Sequence, residues 1–122
     1  RDSLNSLCEI AAAAGPVCFI VEEVDTYATP WDCPIELKAL LKKGRHWGVD
    51  MIFISRRPAE INRLITSQSQ RFIVFRIIEG RDIAYLKSII GPVADDIPKL
   101  DDLNYIDWKH GKTEKKAISW KK

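Results

Sequence analysis

The chain has 122 residues, 46% of them hydrophobic, with 19 basic against 17 acidic side chains and a formal net charge of +2. That length suits one domain with a buried core, and no apolar run approaches the ~20 residues that a membrane span needs. The small net charge hides an asymmetry: residues 1–36 carry seven acids and one base, whereas residues 38–87 carry eleven bases and four acids. The basic middle is suited to phosphates and equally to solvated helix faces, so charge alone does not choose between them.

In chain order, Leu4, Leu7, Cys8 and Ala11 recur at helical spacing, with Asp2 or Ser3 as a cap and Gly15-Pro16 as the stop. Residues 17–22 form a short apolar strand, and the two prolines of residues 24–34 make that stretch a loop. Ile35, Leu37, Leu40 and Leu41 mark a second helix ending near Gly44, and Val49 to Ile54 is a second apolar strand. Pro58 suits the first turn of a third helix with Ile61, Leu64 and Ile65 as its buried stripe. Phe72 to Ile78 reads as a third strand, broken only by Arg76. A fourth helix carries Ile83, Leu86, Ile89 and Ile90 and stops at Gly91-Pro92; a short helix or turn follows over 93–100. Ile106 and Trp108, then Ile118 and Trp120, alternate with polar residues around His110-Gly111, the pattern of a terminal β-hairpin. The expected fold is α/β: a mostly parallel sheet with flanking helices over 1–100, plus a C-terminal β-hairpin over 101–122, in a single domain.

Cys8, Cys18 and Cys33 form no CxxC pair and read as reduced thiols of an intracellular, cytoplasmic protein. His46 and His110 are too far apart for a local metal motif. No signal peptide is recognisable, and a first residue of Arg rather than Met suggests a fragment or a processed product.

Two stretches carry the chemistry. Val17-Cys18-Phe19-Ile20-Val21 stops on Glu22-Glu23, and Met51-Ile52-Phe53-Ile54 stops on Ser55-Arg56-Arg57-Pro58. Apolar runs of this kind are expected to be buried on both faces, with chemistry at their carboxyl ends. An apolar strand ending in two acids is the Walker B pattern. One carboxylate there serves a magnesium ion held against the β- and γ-phosphates, and a second orients or deprotonates the attacking water. By themselves, two acids also fit a solvated strand end.

The wider pattern carries more weight. Gly44-Arg45-His46-Trp47-Gly48-Val49, then Ser55-Arg56-Arg57-Pro58-Ala59-Glu60-Ile61-Asn62, then Ile65-Thr66-Ser67-Gln68 and Phe72-Ile73-Val74-Phe75-Arg76 follow one another at intervals that resemble the HerA/FtsK group of P-loop ATPases, over about residues 15–91. That resemblance implies a partial P-loop NTPase core and a ring-forming homo-oligomer that moves or packages DNA, using ATP and Mg2+. The group includes chromosome pumps, end-resection helicases and viral packaging ATPases, and a microbial or viral source is implied. Carried over by position, Glu23 is the catalytic glutamate. Glu22 stands on the metal side, where the group usually has the shorter Asp. Ser55 and Arg56 match the sensor position, with Arg56 where Gln is usual; Gln both donates and accepts, whereas Arg only donates. Of Arg71 and Arg76, one is expected to reach the neighbouring subunit's nucleotide. Arg76 is preferred because it matches the strand arginine, the alternative being an arginine paired with an acid.

Gly111-Lys112-Thr113 mimics the end of a GxxxxGK[ST] phosphate loop, but Ile106 stands where its first Gly belongs and no helix is expected after it. The resemblance therefore implies the C-terminal part of an ATPase whose phosphate loop lies upstream, with no turnover and no bound nucleotide expected of this chain alone. In the group the phosphate-loop strand runs between the strands matching 49–54 and 72–78, so here those two either pair directly or leave open edges. An alternative reading is a non-catalytic module derived from such an ATPase, binding nucleic acid or protein; another is likeness of fold alone.

Overall fold

A computed structural model describes residues 2–119, and the chain forms two compact units that divide between Gln68 and Ser69. The first unit runs α1 (Asp2–Ala14), β1 (Val17–Val21), α2 (Ile35–Lys43), β2 (Val49–Phe53) and α3 (Arg63–Gln68). Gly15, at φ 82°, takes the left-handed turn that frees α1 from β1. β1 and β2 pair in parallel, from Val17↔Val49 to Val21↔Phe53. Leu4, Cys8 and Ala11 of α1, Leu37, Leu40 and Leu41 of α2, and Ile65 of α3 close over Val21 and Val49 to make this unit's core. Burial pushes the Cys8 thiol up to about 11, with Glu36 and Cys33 adding to it, so it packs as a neutral apolar group.

Two expectations change here. The strands are buried on one face, not both: Cys18 and Ile54 are exposed, and Ile20 and Ile52 are 57% and 49% exposed. Period-two alternation turns these side chains to the face that α1 and α2 leave uncovered. The third helix is also shorter. Pro58–Glu60 forms a 3₁₀ turn, Ile61 is extended (φ −83°, ψ 145°), and α3 begins only at Arg63. Asn62 sets that break. Its Oδ1 accepts from Leu64 N–H at 3.0 Å, while its own N–H and Nδ2 donate to the Ala28 and Thr29 carbonyls at 2.9 and 2.8 Å. One side chain thereby caps α3 and ties it to the loop after β1. Leu37 is fully buried at the centre of this core; Leu37→Ala should cost about 2–5 kcal/mol in urea unfolding through lost burial and the residual cavity.

The second unit holds β3 (Arg71–Val74), α4 (Gly80–Ile90), a 3₁₀ segment (Pro92–Lys99), β4 (Asn104–Lys109) and β5 (Lys112–Ala117). Its sheet has the order β3–β4–β5, antiparallel throughout. Val74, Leu86, Ile90, Ala94, Ile97 and Ile106 form its core, and Phe72 meets Trp108 edge-on with ring centroids 5.6 Å apart. The hairpin turns on His110 and Gly111, both at positive φ (51° and 81°), as a two-residue primed turn requires. Gly111-Lys112-Thr113 thus leads into β5 rather than into a helix.

The α/β class stands, with its parallel ladder in β1–β2 and the third strand joining the hairpin instead. β3 covers Arg71–Val74 rather than Phe72 to Ile78, its ladder with β4 ending at Val74↔Ile106. That ladder also explains why the units divide at Gln68/Ser69, whereas the sequence reading sets the hairpin apart after residue 100. β5 ends at Ala117, one residue short of Ile118, and Trp120 lies outside the described residues. Among the described residues β2 pairs with β1 in one sheet and β3 with β4 in the other.

Candidate functional site

The parallel ladder brings the ends of β1 and β2 to one rim. Ile54 N–H donates to the Val21 carbonyl at 2.9 Å, and Val24 N–H donates to the Ile54 carbonyl at 3.1 Å. Glu22 and Glu23 therefore leave β1 beside the point where Ser55 and Arg56 leave β2. Glu22, Glu23 and Arg56 are exposed, and among the described residues none of the three enters an ion pair.

Glu23 has a left-handed backbone, φ 52° and ψ 44°, uncommon outside glycine. Such a residue persists only where its surroundings determine it. Here the Val24–Ile54 bond holds one side. On the other, Thr26 N–H donates to the Glu23 carbonyl at 2.9 Å, and Tyr27 and Ala28 N–H donate to the Val24 carbonyl at 3.0 and 2.9 Å. The sharp bend ends the strand, so Glu23 no longer follows its alternation across the sheet.

Ser55 is fully engaged. Its Oγ donates its hydrogen to Asp25 Oδ1 at 2.7 Å and accepts from Arg57 N–H at 3.0 Å. A hydroxyl has one proton, so Ser55 in this arrangement has none to offer a phosphate; it clamps the β2 tip to the loop after Glu23. Asp25 is the residue that sequence reasoning missed. Only its place two residues beyond Glu23 could have drawn attention to it, because its partner lies thirty positions away. Arg57 lies 3.8 Å from Glu60, one 3₁₀ turn on.

Arg71 and Arg76 belong to the second unit, and each has an acid partner there. Arg71 opens β3 and grips Asp107 with both arms of its guanidinium: Nε to Oδ1 at 2.9 Å and Nη2 to Oδ2 at 2.6 Å. Lys116 Nζ adds a third contact to Oδ2 at 2.8 Å. The Asp107 side chain is nearly inaccessible. The Arg71 bonds, followed by the Lys116 bond, hold its carboxyl well below the usual carboxylate range despite the opposing effect of desolvation. Arg76 lies two residues past β3. Its Nη2 donates to Asp102 Oδ1 at 2.8 Å and its Nη1 to the Leu100 carbonyl at 3.3 Å. Asp102 is 85% exposed and Arg76 about half exposed, so this pair is solvated and readily exchanged. The geometry separates the two arginines: Arg71 is bound into the sheet, and Arg76 is held loosely.

The Asp107 carboxylate makes a pH prediction. Its native pKa lies below the unfolded value, so its stabilising effect is complete above about pH 3.9 and is lost as acid drives the pH down towards the native pKa. Acid unfolding of Asp107→Asn should start from lower stability at neutral pH and meet the wild-type curve at the acid end. Parallel curves across the whole range would contradict this assignment.

Among the described residues no three or more His, Cys, Asp or Glu side chains gather as a metal-ligand set. No helix among the described residues is long and apolar enough to cross a membrane.

No protein-family model matches the chain. It is 30% identical over 107 residues to a probable helicase of Methanocaldococcus jannaschii, covering 81% of this chain and 19% of that protein. It is also 30% identical over 95 residues to the DNA double-strand break repair helicase HerA of Pyrococcus furiosus, covering 75% of this chain and 17% of that one. The chain thus spans about a fifth of the length of these helicases. Among solved structures, the genome packaging NTPase B204 of Sulfolobus turreted icosahedral virus 2 in complex with ATP-gammaS superposes with a TM-score of 0.87 at 16% identity, over 98% of this chain and 63% of that one. The same NTPase in complex with AMP gives a TM-score of 0.85. At that identity the likeness is one of fold. Taken with the helicase matches, it identifies the chain as HerA/FtsK-like, with the fold of a P-loop NTPase.

Proposed function

We propose that the chain supplies the water-activating rim of a nucleotide site in an ATP-driven DNA motor of the HerA/FtsK type. The observation that carries this is the pairing of β1 with β2, which presents Glu22 and Glu23 beside Ser55 and Arg56 on one edge. In this reading Glu23 orients or deprotonates the lytic water. Glu22 holds Mg2+ directly or through water; the ion, when bound, would neutralise charge on the β- and γ-phosphates. Arg56, exposed and without an ion pair among the described residues, contributes positive charge towards phosphate. Ser55 acts through Asp25 as a positioning residue. Arg76 is the finger that reaches the next subunit of a homo-oligomeric ring, and Arg71 stays in the sheet with Asp107. DNA is the proposed substrate because the sequence relatives include a DNA double-strand break repair helicase.

The phosphate-gripping GxxxxGK[ST] motif is not in these 122 residues, so the chain alone should not turn over ATP. The deciding experiment measures ATP turnover by the chain alone and by a protein that joins it to a phosphate loop, each as wild type and as Glu23→Gln. Turnover confined to the joined wild type and stimulated by DNA supports the proposal. Turnover by the chain alone that Glu23→Gln abolishes, or joined-protein turnover that ignores Glu23, overturns it.

A further inference from the structure

The three-stranded sheet of the second unit has two unlike faces. Phe72, Val74, Ile106 and Trp108 look into the core. The other face carries Asp107 with Arg71 and Lys116 each bound to it, and by the alternation of strand side chains it also carries Lys109 and Lys112. Register aligns three of these cations in one row across the strands: Arg71 opposite Lys109, and Lys109 opposite Lys112. At about 4.8 Å between strands the row spans roughly 10 Å. An open depression lies here, its walls formed by Lys109, His110, Lys112, Lys116 and Arg71 together with the acids Asp107 and Glu114.

The acids on this face neutralise Arg71 but leave Lys109 and Lys112 of the row uncompensated. Asp107 takes Arg71 and Lys116, and Glu114 lies 3.4 Å from Lys116. Among the described residues no ion pair reaches Lys109 or Lys112, although the two are direct cross-strand neighbours. Like charges set opposite each other in a ladder destabilise it. Lysines on β5 could be explained as protection of an edge strand; Lys109 could not, because β4 is the central strand of the three. A fold that keeps this repulsive row at its own cost gains when an anion lies across it.

We propose that this face of the sheet, through Lys109 and Lys112, binds the phosphodiester backbone of duplex DNA. The row is an extended set of cations, complementary to a ligand that carries a negative charge for about every 1.7 Å of its length. The inference rests on the DNA reading above and adds to it the surface that makes contact.

The test is fluorescence anisotropy of the 122-residue chain with a short labelled duplex, over a salt series from about 50 to 200 mM. Wild type should bind with an affinity that falls as salt rises. Lys109→Gln with Lys112→Gln should weaken binding equally for unrelated sequences and reduce the log–log salt slope by about 2. Lys42→Gln with Lys43→Gln removes the same charge from the last turn of α2 and should leave the slope unchanged. Thermal melts check the fold of each variant; the hairpin pair should melt no lower than wild type, since it loses a repulsion. If wild type binds and the hairpin pair keeps the wild-type slope, or the α2 pair loses as much, this surface is wrong while the DNA reading stands. If wild type does not bind even at low salt, the DNA reading fails and takes this surface with it.

Discussion

Glu23→Gln should lower ATP turnover by about 10²–10⁴-fold, the range of a positioned general base, in a protein that combines this chain with a phosphate-binding loop. The substitution keeps size and hydrogen-bonding reach and removes the proton-accepting charge. Nucleotide affinity should change little, because Glu23 is assigned to the water and not to the phosphates; single-turnover kinetics against equilibrium binding of a non-hydrolysable analogue separates the two. Glu22→Gln should behave differently, moving the Mg2+ dependence along with the rate. The two glutamates also differ in backbone. Glu23 has the left-handed conformation that redirects the chain at the strand tip, φ 52°, whereas Glu22 precedes the bend. Glutamine tolerates the left-handed region no better than glutamate, so the fold effect cancels and the chemical one remains. Equal losses for the two glutamates, at unchanged Mg2+ dependence, would refute the assignment.

Arg76→Ala should cost about 10³–10⁵-fold in turnover if its guanidinium stabilises transition-state charge in a neighbouring subunit. The structure offers a reason why it can move. Its partners are the 85% exposed Asp102 and a carbonyl 3.3 Å away, a pairing that water replaces at small cost. Arg71→Ala should act differently: it leaves Asp107 in place without its two-armed partner and so lowers stability before any effect on chemistry. The decisive measurement mixes two inactive proteins, one with Glu23→Gln and one with Arg76→Ala. In a ring whose sites span two subunits, some interfaces then combine an intact Glu23 with an intact Arg76, and activity returns. No recovery on mixing would show that Arg76 does not act across subunits.

Periodicity alone located α1, α2 and α4, because one apolar stripe on each of these helices repeats at the helical spacing and Gly or Pro closes it. The two apolar runs ending on Glu22-Glu23 and Ser55-Arg56 were also legible, as was the hairpin around His110-Gly111, where the turn needs two residues at positive φ. What sequence could not supply was pairing between distant residues. The apolar run 17–21 looks the same whether one face or two are covered, and Ile20 and Ile52 are exposed only because of where the helices pack. The third strand reads as parallel until register sets Val74 against Ile106 and joins it to the hairpin.

The same distinction runs through the candidate site. The order of residues by itself determined which groups could carry chemistry: two adjacent acids, a hydroxyl beside two guanidiniums, and two arginines around a strand. Tertiary structure alone decided that the first two groups share a rim, that Ser55 donates its hydrogen bond to Asp25, and that Arg71 is bound by Asp107 while Arg76 is held loosely. The reason is physical. A side chain's type and its local backbone follow from near neighbours in sequence, whereas a hydrogen-bond partner thirty or more positions away is chosen only when the core closes and brings the strands into register.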